Sequence, residues 1–211
     1  MARYEIAPTR TNLQRLKSEL SFAQEGYELL EQKREILIME LKRFTARATE
    51  AQAKLDAALE RAYAALREAE LDTGLTGVYT AGRAVTNPPE VTVGERRVMG
   101  VAIPSVTLSA EDQPPHYGPA WSSAWTDEAA RRFREVLPLV ADAAEAHIAV
   151  LRLAREIQKT IRRVNALEKI LIPDYEESRR WVEDALEESD RDALFTLKLV
   201  KERLEAMGEA S

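Results

Sequence analysis

The hydrophobic pattern of the first third of the chain is nearly unbroken. Alternating steps of three and four residues from Leu13 land on Leu16, Leu20, Ala23, Tyr27, Leu30, Arg34, Leu37, Leu41, Phe44, Ala48, Ala51, Leu55, Ala58, Ala62, Ala65 and Ala69, and only Arg34 is polar. A mean step of 3.5 residues keeps one seam turned toward a partner helix along its length, the signature of a left-handed coiled coil. A helix from about Thr11 to Leu71 would be roughly 90 Å long at ~1.5 Å per residue. Thr9 or Thr11 can cap its start, and Gln14 stands where a capping box with Thr11 needs it. From Ala46 the seam becomes rich in alanine, which allows close helix approach but buries less area per layer. The glycines of Asp72-Thr73-Gly74-Leu75-Thr76-Gly77 predict a stop.

A different pattern follows. Val91-Thr92-Val93, Val101-Ala102-Ile103 and Val106-Thr107-Leu108 alternate in short β-branched runs, predicting a two-stranded element near 90–103 with Gly94-Glu95-Arg96-Arg97 as its connection, bounded by Pro88, Pro89 and Pro104. Residues 109–125 read as a loop in which Tyr117, Trp121 and Trp125 either plug onto the helices or anchor a partner. A second helix opens at Thr126-Asp127-Glu128, with Thr126 as cap. Its three-four stepping runs through Phe133, Val136, Val140, Ala143, His147, Val150, Ala154, Ile157, Ile161 and Val164. Glu168 breaks the ladder and Pro173 removes a backbone hydrogen bond, predicting a kink near 168–173. Beyond it the seam resumes in a new phase at Val182, Leu186, Ala193, Leu197, Val200, Leu204 and Met207, and Gly208 closes the helix. The predicted fold is mainly α: a long antiparallel two-helix coiled coil made by the N- and C-terminal helices, with a small central β-hairpin segment. Its segments are 1–74, 75–125 and 126–211.

Composition narrows the function classes. The formal charge of −6 gives no reason to expect nucleic acid, and 31% charged residues of mixed sign suit solvated helical faces. Without cysteine there is neither disulfide nor thiolate chemistry, which fits a reducing cytoplasm. No signal peptide and no run of about 18 apolar residues stands out, so membrane association is expected to be indirect. His116 lies in a Pro-rich loop and His147 on the apolar stepping, where a packing residue is a simpler reading than a ligand, and no metal-ligand spacing exists. No Gly-rich phosphate loop and no activated nucleophile is visible. No catalytic, cofactor or metal site is expected. Arg34 fits register fixing, snorkelling or a third partner, and Gly26 a helix position with no room for a side chain, a point of close approach or one of tolerated flexibility.

Three stretches resemble a known family. Pro8-Thr9-Arg10, Leu13, Leu16-Lys17, Leu20, Ala23, Gly26, Leu29-Leu30, Lys33-Arg34 and Leu37 are similar to the N-terminal block of the D subunit of the V/A-type rotary ATPases and ATP synthases. Arg162-Arg163-Val164-Asn165-Ala166-Leu167-Glu168, Ile172-Pro173, Leu186-Glu187-Glu188, Arg191, Phe195 and Leu197-Lys198 resemble its C-terminal block, and Val98-Met99-Gly100-Val101-Ala102-Ile103-Pro104 its central hairpin. Glu31 and Glu35 depart from the family pattern, where Lys and Asp are usual. The resemblance implies a central rotor axle, a non-catalytic component of an ion-translocating complex, cytoplasmic and peripheral to the membrane. Its implied partners are the catalytic A and B subunits, the F subunit of the rotor and the funnel subunit (C/d) on the membrane rotor ring. It places Arg10, Leu13, Lys17, Arg191, Phe195 and Lys198 in contact with the bore of the catalytic hexamer. Trp121, Trp125, Val101 and Ile103 would serve the F subunit or the central cap. A prefoldin-like chaperone or scaffold is the alternative, although its tips need exposed apolar residues and the tips here read as charged.

Overall fold

The structure is a computed structural model that describes residues 6–84, 89–109, 117–118 and 122–208, the last four of these by backbone alone. Helix α1 spans Arg10–Arg83, strands β1 and β2 span Glu90–Val98 and Val101–Ser109, helix α2 spans Ala124–Ala166, a π-helical turn covers Leu167–Leu171, and helix α3 spans Ile172–Gly208. By its contacts the chain falls into two compact units, one of residues 1–34 with 159–211 and one of residues 35–158.

In the first unit α1 starts where Thr9 caps it: the Asn12 amide donates to Thr9 Oγ1 at 3.2 Å, while the Asn12 side-chain amide donates to the Ala7 carbonyl at 2.8 Å. Thr9, not the Thr11 box, is therefore the cap. Leu16, Ala23 and Val182 are buried, and Arg10 to Asp190 (3.2 Å) and Lys17 to Glu183 (2.8 Å) cross between α1 and α3. As the residue number rises on α1 it falls on α3, so the pairing is antiparallel. The interruption expected near Pro173 is a π-helical turn, in which the Ile172 amide bonds the Leu167 carbonyl five residues back. Pro173 has no amide to offer Lys169, and widening the preceding turn by one residue accommodates its ring. Arg34 pairs with Glu31 one turn earlier, half-buried at the seam, and its Nε has no hydrogen-bond partner. At Gly26 a Cβ would meet nothing within 4 Å, so the chain itself leaves room there, contrary to the close-packed reading.

In the second unit the seam of α1 is buried at Leu37, Phe44, Ala48, Ala58, Ala62, Ala65 and Ala69. The alanines matter here because Ala58, Ala62 and Val136 form a core with Leu55, Leu59, Phe133 and Leu139 around them, and Tyr63 meets Phe133 edge to face at 5.3 Å. Arg47 reaches Glu145 at 3.6 Å, so α1 and α2 also run antiparallel. The helix does not stop at 72–77. It continues to Arg83 through a single non-helical residue, Gly74, at φ 73° and ψ 163°, and Ala81 is again buried. Only glycine occupies that conformation without strain, so one of the two glycines makes a break and not an end.

Helix α2 begins two residues before the expected cap. Ser123 and Thr126 exchange hydrogen bonds, the Thr126 amide to Ser123 Oγ and the Ser123 amide to Thr126 Oγ1, both at 3.3 Å, so Ser123 is the cap and Thr126 its reciprocal partner. Of its expected seam Val136, Ala143, Ile157 and Val164 are buried, and the positions between them move back by one residue. Ala146, Leu153 and Thr160 are buried, whereas Val140 is 45% exposed and His147 lies in solvent. Two three-four tracks that share Val136, Ala143, Ile157 and Val164 and differ by one residue between them fit the sequence, and the structure takes the one on which Leu153 is enclosed. Pro138 is accommodated within α2 on its exposed side.

The hairpin is antiparallel, with Val98 opposite Val101, Arg96 opposite Ile103, Val93 opposite Val106 and Glu90 opposite Ser109. Its turn is Met99-Gly100, both at positive φ (50° and 82°), the two-residue pattern that matches strand twist. Gly94-Glu95-Arg96-Arg97, expected to turn, lies inside β1. A Gly at the second turn position outweighs the polar run upstream, because only there does the backbone demand it.

Candidate partner interface

At the terminal end, the residues expected to meet a partner lie at or near the chain's last paired layer. Arg10 and Lys17 are exposed but engaged with Asp190 and Glu183; Leu13 is half-buried. Arg179 also reaches Glu183 at 3.2 Å. The Lys17 hydrogen bond holds the Glu183 carboxyl below its ordinary range against the upward push of burial, aided by the Arg179 and Lys17 charges. Beyond Asp190 every α3 side chain described is exposed. Arg191 binds Glu187 and Glu188 on its own helix, both at 3.4 Å, and Lys198 is exposed. Leu194, Phe195, Leu197, Leu199, Val200 and Leu204 stand in solvent, Phe195 at 67%. The seam resumed after the π turn is thus paired at Val182 and half-buried Leu186, while Ala193, Leu197, Val200 and Leu204 have no cover; the Met207 side chain lies outside the described residues. This end was expected to be charged and is instead apolar on several sides.

In the central segment, Val101 and Ile103 are buried at 9% and 0% exposure, so they belong to the chain's own packing and present little surface to a partner. Trp125 is 46% exposed on the first turn of α2; Trp121 and His116 lie outside the described residues. What holds the hairpin is a set of polar groups that hydrophobic periodicity cannot reveal. Glu145, 8% exposed, accepts from Arg96 of β1 at 3.3 Å and from the Val106 amide of β2 at 3.5 Å, and faces Arg47 of α1. Arg152, whose spacing along α2 is that of a solvated face, donates to the Ala102 carbonyl at 2.7 Å and lies 3.9 Å from Glu95. The Arg96 guanidinium also sits 5.7 Å from the ring centre of buried Phe44. Near the N-terminus of α2, Tyr117 donates to Asp127 at 2.7 Å; burial first, then that bond, pushes its phenol up to about 12. The same region holds a mainly apolar pocket of about 690 Å³ lined by Leu66, Ala69, Val78, Ala81, Phe133 and Leu137, among others.

Among the described residues no group of His, Asp or Glu could hold a metal ion, and no helix is long and apolar enough to cross a membrane. The chemistry on view is that of surfaces: long paired helices, a clamped hairpin and an uncovered apolar end. Residues 12–202 match the family model for the ATP synthase D subunit. The chain belongs to the ATP synthase D-subunit family. It is 37% identical to the V-type ATP synthase D subunit of Thermotoga neapolitana over 94% of this chain and 98% of that protein. It is also 37% identical to the A-type ATP synthase D subunit of Methanopyrus kandleri, over 95% and 88%, and 35% identical to that of Thermococcus sibiricus, over 97% of both.

Proposed function

We propose that the chain is the central-stalk subunit of a V/A-type ATP synthase or ATPase, a shaft that performs no bond chemistry and transmits torque between the catalytic A and B subunits and the membrane rotor. The observation that carries this reading is the uncovered apolar segment of α3 beyond Asp190, on a chain that belongs to the D-subunit family. Leaving six large apolar side chains in water forgoes roughly 1.5–3 kcal/mol each, so a surrounding partner is expected to cover them. A ring of A and B subunits fits, because one shaft segment presents different faces to chemically identical sites, and each rotary angle then favours a different nucleotide state at each A–B interface. The F subunit and the funnel subunit are assigned to the remaining surfaces, with Trp125 a contact for the former. The assembly places the chain at the cytoplasmic membrane face through its partners.

The test is reconstitution with the other subunits of the host complex, comparing the full chain with a truncation after Ala185. The full chain is expected to enter at one copy per catalytic hexamer. The truncated chain is expected to lose ATP-driven rotation or its coupling to ion movement. Retained, coupled rotation without residues 186–211 would reject the assignment of this end.

A further inference from the structure

The two edges of the hairpin differ. On β2 the edge that points away from β1 is engaged by α2: the Ala102 carbonyl accepts from Arg152, the Val106 amide donates to Glu145, and Pro104 between them has no amide to satisfy. In an antiparallel pair the outward positions of one strand lie opposite the outward positions of the other. The partners of Ala102, Pro104, Val106 and Leu108 are Arg97, Glu95, Val93 and Val91, so these four carry the outer edge of β1. Among the described residues none of their amides or carbonyls is bonded outside the β1–β2 ladder. Every β1 residue from Glu90 to Arg97 is exposed, with Val91 at 55% and Val93 at 64%. No proline and no bulge blunts this nine-residue strand.

We propose that two copies of this chain pair through their β1 edges, antiparallel about a two-fold axis at Arg96, to form a four-stranded sheet. The axis is chosen by charge. It sets Glu95 opposite the partner's Arg97 and Arg97 opposite the partner's Glu95, with Val93 beside the partner's Met99, which is 43% exposed. An axis at Glu95 would oppose two carboxylates, and one at Gly94 would lengthen the overlap but set both charges against valines. Arg97 has no ion pair among the described residues, and Glu95 has only the 3.9 Å approach of Arg152, so both are available. Arg96 meets its counterpart across the axis, and within each copy Glu145, shared with Arg47, offsets part of that repulsion. The pairing would cover an aggregation-prone edge in the free chain.

The experiment is sedimentation equilibrium of the isolated full chain across a concentration range, with three variants checked for native helicity. The expected mass rises from one chain to two and stops. Glu95→Pro removes one outward amide opposite Pro104, leaves the β1–β2 ladder intact, and is expected to remain a monomer. Arg97→Glu, which perturbs no backbone group, is expected to weaken the dimer about tenfold through two repulsive pairs, and Glu95→Arg with Arg97→Glu to restore it. A wild-type chain that stays monomeric, one that grows past the dimer, or a dimer indifferent to Arg97→Glu overturns the proposal. None of these readouts involves the ATPase subunits: a monomer that still assembles rejects the edge pairing alone, and a dimer that never assembles rejects the shaft role alone.

Discussion

Replacing Glu145 by Ala is expected to loosen the hairpin without unfolding the helices. The carboxylate is 8% exposed and accepts from Arg96 and the Val106 amide while facing Arg47. A hydrogen bond to a charged group contributes ~1.5–3 kcal/mol when both sides are buried. Arg96 and Arg47 are 45% and 46% exposed, so water solvates them once the carboxylate is gone. The Arg96 contact then falls to ~1 kcal/mol and the Arg47 contact to ~0.5 kcal/mol. The Val106 amide, at the outer limit of hydrogen-bond distance, adds ~0.5 kcal/mol for the donor left unpaired. The sum is about 2 kcal/mol, which corresponds to about a 30-fold rise in the local opening constant. Backbone hydrogen exchange is the assay: amides of β1 and β2 in the ladder should exchange about 30-fold faster, while those of the seam around Ala58 and Ala62 hold their rates. Glu145→Gln keeps an acceptor and should lose about half as much. Unchanged hairpin protection, or equal acceleration in the helices, would refute the idea that this carboxylate clamps the hairpin in particular.

Two glycines should respond in opposite senses. In urea unfolding, Gly26→Ala is expected to stabilise the isolated chain by ~0.5–1 kcal/mol, because the position is helical with nothing within 4 Å of the new Cβ. Gly74→Ala should cost ~1–3 kcal/mol, because φ 73° with ψ 163° is closed to a side chain. The Glu183 carboxyl titrates lower in the folded chain than in the unfolded one, so its contribution is complete above its ordinary value of 4.5 and is lost as pH falls through the folded value. Lys17→Met should therefore flatten the acid limb of a stability–pH curve, by under ~1 kcal/mol since the pair is solvated. For Tyr117 the sign reverses: a phenol pushed up to about 12 contributes stability fully below pH 10 that is lost as pH rises toward 12, and Tyr117→Phe should remove the highest step from an ultraviolet titration.

The helices were legible because a seam is a repeating signal. All seventeen seam positions from Leu13 to Ala69 are buried or half-buried, and in α2 the error of one residue falls only on alternate positions, where Leu139, Ala146, Leu153 and Thr160 compete with Val140, His147, Ala154 and Ile161. The hairpin was legible as an element but not in its turn, since the strand pattern of β-branched residues is short and the deciding residue, Gly100, does not advertise its φ. Glu145 and Arg152 were invisible for a different reason. Their spacing on α2 is that of any solvated helical pair, and their role depends on which backbone groups of β2 come to rest beside them.

Periodicity also says which face of a helix is apolar and nothing about whose atoms cover it. Val182 and Phe195 carry the same kind of signal. Val182 is fully buried because α1 lies beside it; Phe195 is 67% exposed, beyond Asp190, whose ion pair with Arg10 at the start of α1 is the last between the two helices among the described residues. The seam therefore outruns its partner by more than three turns of helix at 3.6 residues per turn. An extension with no use would drift toward polar residues, because exposed leucines promote association. Here apolar and charged residues alternate in blocks, Ala193-Leu194-Phe195 before Lys198 and Leu199-Val200 before Lys201-Glu202, so apolar groups face several directions at once. A single added helix would cover one stripe, whereas a ring of subunits around the segment would cover them all. That difference is measurable by substituting Leu194 and Leu199 singly with Ser, since they lie about 140° apart at ~100° per residue. Enclosure by a ring predicts that both weaken assembly, and docking to one helix predicts that only one does.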